Sequence, residues 1–473
     1  MSIEQLRSTK VVATIGPACS SLAAIRGLIE AGLNVARLNL SHGDHAGLGE
    51  LAGRVRRAAD EVGANVALMA DTKGPEIRTG PLAEESIRLT RGADFRLFTE
   101  ERVGDERGVS VNYAGLARDV SGGVSIFLDD GTLELEVVAK DEAGIDCKVV
   151  RGGELGAHKG VSVPGAEIGL PTLSAADLED LRFVAGEGFD YLAASFVRSA
   201  QDVEGIREVL AEHDAEIPII AKIETRQAVE DLDAIIASAD GSMVARGDLG
   251  VEIPVEQVPI VQKRIIRSTV MAGKPVITAT QMLDSMLRNP RPTRAEASDV
   301  ANAIFDGTSA VMLSGETASG RYPTESVRTM GAIAREAEKA LGEFGYLQQI
   351  HPEPRDRVTD AVAHAASEIA SRTGAAAILT LTETGNTSRA ISKYRPRCPI
   401  IAISSSPRVV RRLALNWGVT GAVYEGRGND EAKVAFGVDV ARRLGVEPGD
   451  VLVVTAGISR ASGSTNLVRV VRP

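Results

Sequence analysis

Short apolar runs alternate with longer stretches of mixed polarity through the first two thirds of the chain. Eight runs read as strands: Val11–Gly16, Val35–Leu40, Asn65–Asp71, Phe189–Phe196, Pro218–Glu224, Gly241–Ala245, Pro275–Thr280 and Thr308–Leu313. Most are continuous Val, Ile, Ala and Leu, the mark of parallel strands covered on both faces. The stretches between them carry helix-start signals. Ser174-Ala-Ala-Asp177 resembles a capping box with aspartate in the glutamate role, and Thr293-Arg-Ala-Glu296 is a standard one. Eight strand–helix units predict an α/β chain with a (β/α)8 TIM barrel; a doubly wound open sheet is the rival.

The period changes after Thr72. Ser86–Leu89, Phe95–Phe98, Ser125–Leu128, Leu133–Val138 and Ile145–Val150 alternate polar and apolar, with an Asp130-Gly131 turn signal among them. Residues 73–161 therefore read as an inserted small β-barrel lid domain. Without them, residues 1–72 and 162–345 amount to about 250, the usual size of such a barrel. Ile350-His-Pro-Glu-Pro-Arg-Asp356 reads as a linker. Beyond it the α/β pattern restarts with helix Thr359–Arg372 and strands Ala376–Thr382, Ile400–Ser404, Val451–Thr455 and Leu467–Val471. Helices are expected at Ser388–Tyr394 and Arg408–Leu415, so residues 346–473 form a C-terminal α/β domain with a mainly parallel sheet.

Composition narrows the function. The chain has 473 residues, more than one core serves. Aromatics are 3% and the net charge is −11, which leaves neither stacking platforms nor a basic surface for nucleic acid. A local cationic pocket still suits small anions. Cys19, Cys147 and Cys398 are scattered, the start has no apolar core, and no apolar run approaches a membrane span. A cytoplasmic protein without membrane partners is the expectation.

Chemistry gathers where the strands end, which in such barrels is the active face. The ends read Arg37-Leu-Asn-Leu-Ser-His42, Asp71-Thr-Lys-Gly-Pro-Glu-Ile-Arg78, Ser195-Phe-Val-Arg198, Lys222-Ile-Glu224, Arg246-Gly-Asp248, Thr278-Ala-Thr280 and Ser314-Gly-Glu316. Glu224 and Asp248 suit Mg2+ or Mn2+, which take oxygen ligands and keep open positions. Lys222, Arg37 and Arg78 suit phosphate or carboxylate oxygens. The N–H groups of Gly247 and Asp248 could take a carboxylate. Asn39, Ser41, Asp71 and Thr72 form an oxygen-rich set with one formal charge, suited to a monovalent cation. Each group alone has a bland reading: Lys222–Glu224 as a structural ion pair, Arg246-Gly-Asp248 as a turn, His42 and Ser314-Gly-Glu316 as caps. Their recurrence at one face is what the bland readings do not account for.

The segments Val35–Gly43, Asp71–Gly80, Lys159–Gly165, Lys222–Glu224, Met243–Pro254, Thr278–Leu283 and Met312–Thr317 resemble the pyruvate kinase family, and the likeness runs from end to end. It implies phosphoryl transfer from phosphoenolpyruvate to ADP, giving pyruvate and ATP in glycolysis. On that resemblance Lys222, Thr280 and Arg37 are catalytic, and Gly247 and Asp248 join them in binding substrate. Glu224 and Asp248 hold Mg2+ (or Mn2+), while Asn39, Ser41, Asp71 and Thr72 match the family's K+ site, with Glu76 as in its K+-dependent members. Asn39, His42, Arg78 and Lys159 match nucleotide and phosphate contacts. Thr382, Thr384, Gly385 and Thr387 resemble an effector phosphate loop, for which a phosphosugar or AMP is the expected ligand; a homotetramer is also implied. Leu40 and Thr225 depart from the family's usual phenylalanine and asparagine, and Glu383 stands where lysine often binds a bisphosphate. A Mg2+-dependent lyase or aldolase acting on pyruvate is the rival enzyme, and a non-catalytic metabolite sensor the rival class. ADP-dependent pyruvate formation separates them.

Overall fold

The eight apolar runs fold into eight parallel strands that close on themselves. They are β1 (Lys10–Thr14), β2 (Val35–Asn39), β3 (Ala67–Asp71), β4 (Tyr191–Ala194), β5 (Ile219–Ile223), β6 (Gly241–Ala245), β7 (Val276–Ala279) and β8 (Ala310–Leu313). Closure is made by β1 pairing with β8, Val11 opposite Val311, which excludes the open sheet. The computed structural model describes residues 6–166, 168–350, 358–427, 429–457 and 465–472.

Side chains alternate in and out along each strand. Val12, Val35, Met69, Tyr191, Ile220, Met243, Ile277 and Met312 fill the barrel interior as one apolar cluster. The next inward position toward the strand ends, two residues on, is Thr14, Arg37, Asp71, Ala193, Lys222, Ala245, Ala279 or Ser314. The polar floor of the mouth is thus the same alternation carried one step past the core. Outward residues pack on the helices in a separate, larger cluster. Both expected capping boxes form, Ser174 with Asp177 and Thr293 with Glu296. A short helix, α1 (Arg246–Glu252), follows β6 directly, and α2 (Arg294–Phe305) follows β7.

Between β3 and β4 lies the lid, a seven-stranded sheet and a separate two-stranded one. Its strands alternate as expected; Ser86–Leu89 buries Ile87 and Leu89 and exposes Ser86 and Arg88. Short strands Gly108–Ser110, Gly153–Gly156 and Gly160–Ser162 join in. They open on glycine and are too brief for a readable period. The last one crosses the expected division at residue 161, and Val163 belongs to the lid core, against which Ile168 and Leu170 pack. Likewise Leu347, past the expected division at 345, packs in the barrel's outer core. Of the expected linker, Ile350–Asp356, the first residue ends a short helix, Tyr346–Ile350, and the rest lies outside the described residues.

The C-terminal sheet has β9 (Ala377–Leu381), β10 (Ile400–Ser404), β11 (Val419–Val423), β12 (Leu452–Ala456) and β13 (Leu467–Val471) in the order β11-β10-β9-β12-β13. All pairs are parallel except β12–β13. Helix α3 (Asn386–Lys393) follows β9. The helix expected at Arg408–Leu415 is Pro407–Arg412 with a tighter turn, Leu413–Leu415, after it.

Candidate active site

At the end of β5 the chain places a cation among carboxylates. Lys222 Nζ lies 2.8 Å from Glu224 Oε1 and 3.3 Å from Asp71 Oδ1, and donates to Ser195 Oγ at 2.7 Å. Burial alone would lower this ammonium, but Asp71 and Glu224 outweigh it and raise it above the ordinary lysine value. Arg37 Nε donates to Asp71 Oδ2 at 2.5 Å and its Nη1 to Thr14 Oγ1 at 2.8 Å. Burial would raise Asp71, yet Arg37 and then Lys222 bring it below the usual carboxylate range. Three strand ends are so joined in one charged network.

Glu224 is fully buried. Its Oε2 accepts from Phe196 N at 2.7 Å, an N–H aimed there by a left-handed Phe196 (φ +52°). Its Oε1 makes no hydrogen bond of good geometry, although Lys222 is near. Burial, together with Asp248 and against the pull of Lys222, pushes Glu224 up to about 7. Asp248 is raised too, first by burial. A buried carboxylate (Glu224) and a half-buried one (Asp248), with Asp248 pushing Glu224 up, fit a divalent cation that would offset their charge. Among the described residues no three His, Cys, Asp or Glu side chains gather as a metal cluster. Two protein carboxylates would hold such an ion and leave room for water and substrate oxygens.

Thr280 stands across the mouth at the end of β7. Its Oγ1 donates to Ala279 O at 2.7 Å and accepts from Gly247 N at 2.8 Å. The Gly247 N–H assigned to a substrate carboxylate therefore already has a partner, which it must exchange. Asn39 Oδ1 accepts from Ser41 N at 3.0 Å, and Asn39 faces Asp71 in the β2–β3 register. Thr72 joins them through Ser195, whose Oγ donates to Thr72 O at 2.7 Å. His42 is exposed just beyond, its N–H on Asn39 O.

The lid contributes the remaining cations. Arg78 pairs with Glu76 at 2.7 Å and donates to His158 O at 2.9 Å. Lys159 pairs with Asp129 at 2.9 Å. A cavity of about 310 Å3 separates lid and barrel, and Glu76, Phe196 and Asp248 share its wall. Arg78 and Lys159 thus sit on the lid with lid partners, apart from the Lys222 network.

Thr382, Thr384 and Gly385 lie between β9 and α3, and Thr387 lies in the first turn of α3. Thr382 Oγ1 accepts from Gly385 N at 2.9 Å, and Thr387 Oγ1 meets Thr465 Oγ1 at 2.5 Å. Glu383 is ion-paired with Lys433, so its charge is offset within the domain.

Some site residues drew no role in the sequence. Ser195 touches Lys222, Asp71 and Thr72. Its signal was available: it stands two residues past Ala193, as Lys222 does past Ile220. Thr14, which takes Arg37, had the same signal. Glu316, accepting from Leu283 N and Ser314 N, serves the turns rather than the mouth.

The family model for the pyruvate kinase barrel domain matches residues 6–327, and that for the pyruvate kinase alpha/beta domain matches residues 360–471. A pyruvate kinase of Geobacillus stearothermophilus is 51% identical over 469 residues, covering 98% of this chain and 80% of that protein. One of Clostridium acetobutylicum is 45% identical over 469 residues, covering 98% and 99%. With both domains matched and a charged mouth where the barrel strands end, the chain belongs to the pyruvate kinase family of phosphotransferases.

Proposed function

We propose that the mouth transfers the phosphoryl group of phosphoenolpyruvate to ADP with the following division of labour. Lys222 lies against the phosphoryl group in flight and then against the enolate oxygen. Arg37 grips phosphate oxygens from β2, freed in part from Asp71. Gly247 and Asp248 N–H groups, with Thr280, hold the substrate carboxylate; Thr280 Oγ1 orders the proton that reaches the enolate carbon. Such transfers ask the protein for positioning and charge stabilisation, with little covalent work. Glu224 and Asp248 would hold Mg2+ or Mn2+, which when bound neutralises phosphate and carboxylate oxygens. Asn39, Ser41, Asp71 and Thr72 would hold K+, whose single charge suits a set with one carboxylate. Asn39, His42, Arg78 and Lys159 take the nucleotide phosphates, the last two brought in as the lid closes and excludes water.

The observation that carries this reading is the Lys222 ammonium ringed by Asp71, Glu224 and Ser195 at 2.7–3.3 Å. Domain limits of 1–72 with 162–345, 73–161 and 346–473 are proposed as working divisions. A phosphosugar or AMP at Thr382, Thr384, Gly385 and Thr387 is the proposed effector site; pairing of Glu383 with Lys433 lessens its repulsion of a phosphate. A cytoplasmic location and homotetramer assembly complete the proposal, the assembly supported by exposed Val255 and Ile260 and by Val470 on a sheet-edge strand. No helix among the described residues is long and apolar enough to cross a membrane. The test is turnover of phosphoenolpyruvate coupled to pyruvate detection. Activity should need ADP and Mg2+ and rise on adding K+; full activity without K+ or Na+ removes the monovalent site.

A further inference from the structure

Thr280 and Gln281 both stand in left-handed backbone, at φ +67° and +54°. Glycine takes that region freely; a β-branched threonine does not, because its Cβ crowds the following carbonyl. Two such residues in succession need support from outside the turn. The side chain of Arg246 supplies it. Nε donates to Ala279 O at 3.1 Å, and Nη2 donates to Thr280 O at 2.7 Å. Nη1 is anchored by Asp299 of α2 at 2.8 Å. A planar fork can serve these points together, which a single lysine ammonium cannot. The next residue, Gly247, donates its N–H to Thr280 Oγ1. One arginine therefore fixes the backbone of Thr280, while the Gly247 N–H holds the hydroxyl only until a substrate carboxylate takes that N–H.

We infer that Arg246 is a positioning residue for the proton-transfer half of the reaction, acting through Thr280. The inference rests on the proposed placement of Thr280 Oγ1 against the substrate. In the first half the phosphorus–oxygen bond of phosphoenolpyruvate breaks, its electron pair stays on the enolate oxygen, and a terminal ADP oxygen bonds to phosphorus. In the second half the enolate carbon takes a proton, by way of the group that Thr280 orders, and becomes the methyl of pyruvate. Displacing Thr280 slows the second half more than the first.

The experiment compares the parent chain, Arg246→Lys, Thr280→Ala and the double variant. Exchange of pyruvate methyl hydrogens with D2O, with Mg2+, K+ and ATP present, reads the proton step; steady-state assays give kcat and KM. Arg246→Lys should slow exchange at least about tenfold, the scale of a small misplacement. Its KM for phosphoenolpyruvate should stay within about threefold of the parent. The double variant should be no more than about twofold slower than Thr280→Ala, since both changes act at one hydroxyl. Parental exchange in Arg246→Lys, or losses that multiply in the double variant, overturn the inference alone. Parental exchange in Thr280→Ala overturns both the inference and the placement of Thr280. If Arg246→Lys does not fold, Asp299→Asn carries the same test, because it loosens the anchor and keeps the arginine.

Discussion

Lys222 stays charged because its neighbours outweigh its burial. Desolvation works against the ammonium, while Asp71 and Glu224 work for it and win. Removing it leaves Glu224 without its cation, and Asp71 with Arg37 alone, beside a dianionic phosphate. Lys222→Met should therefore lower kcat by about 10²–10³ or more, the scale of one lost charge stabiliser; turnover near the parental rate refutes its role. Lys10 shows the opposite balance. Burial and then Arg7 push it down to about 7 from 10.5, with Glu338 opposing too weakly. Below the folded value the lysine is charged in both states and the cost is constant. Between about 7 and 10.5 the folded chain binds fewer protons than the unfolded one, so stability rises with pH. Against Lys10→Met, the parent should gain on the order of 1–3 kcal/mol from neutral pH to the top of that window. Urea unfolding of both proteins at the two ends checks this, and a constant difference counts against it.

The lid joins the barrel through a segment with little freedom. Gly74, just past β3, has φ +70° and donates its N–H to Asp177 Oδ1 at 3.2 Å. A Cβ there would stand 2.8 Å from Ser195 O and 3.0 Å from the Phe196 ring. Glycine is thus required twice, by conformation and by closeness to the two residues that position Lys222 and Glu224. Gly74→Ala should reduce kcat/KM by about tenfold or more while keeping far-ultraviolet circular dichroism unchanged. Parental kinetics would show that the strand end tolerates the shift. The capping boxes act at the same scale. Glu296 takes Thr293 and also the N–H and hydroxyl of Ser285, so one carboxylate starts α2 and ties down the turn after β7.

Across the whole molecule, polar contacts fasten the C-terminal domain to the base of the barrel, away from the mouth. Lys10 Nζ donates to Val419 O at 2.7 Å, and Tyr191 donates its hydroxyl proton to Arg412 O at 2.6 Å. Arg395, stacked on Trp417, donates to Gly307 O at 2.7 Å. Asp190, fully buried, takes Arg56 from the barrel at 2.7 Å and Arg411 from the C-terminal domain at 3.1 Å. Its charge is what both half-buried guanidiniums pair with. Asp190→Asn should cost about 3–5 kcal/mol, the usual result of breaking a buried pair from one side. It should also separate the unfolding of the two domains, as multidomain chains do when their contact weakens. A single transition at the parental midpoint would show that Asp190 is dispensable.

Strand and helix order, the barrel, the lid insertion and most of the charged mouth were legible because they are periodic or local. Continuous apolar runs mark strands covered on both faces, a period of two marks the lid, and Ser-x-x-Asp marks a helix start within four residues. Lys222 and Glu224 drew attention as charges that a buried strand does not otherwise carry. Tertiary structure alone decided which charges touch. The bond from Arg37 to Asp71, the Phe196 N–H on Glu224, the part of Ser195 and the Arg246 fork under Thr280 all join residues distant in the chain or depend on a backbone angle. Closing the barrel brings β1 against β8 and sets every strand end on one rim. A linear sequence records neither that closure nor the left-handed turns it holds in place.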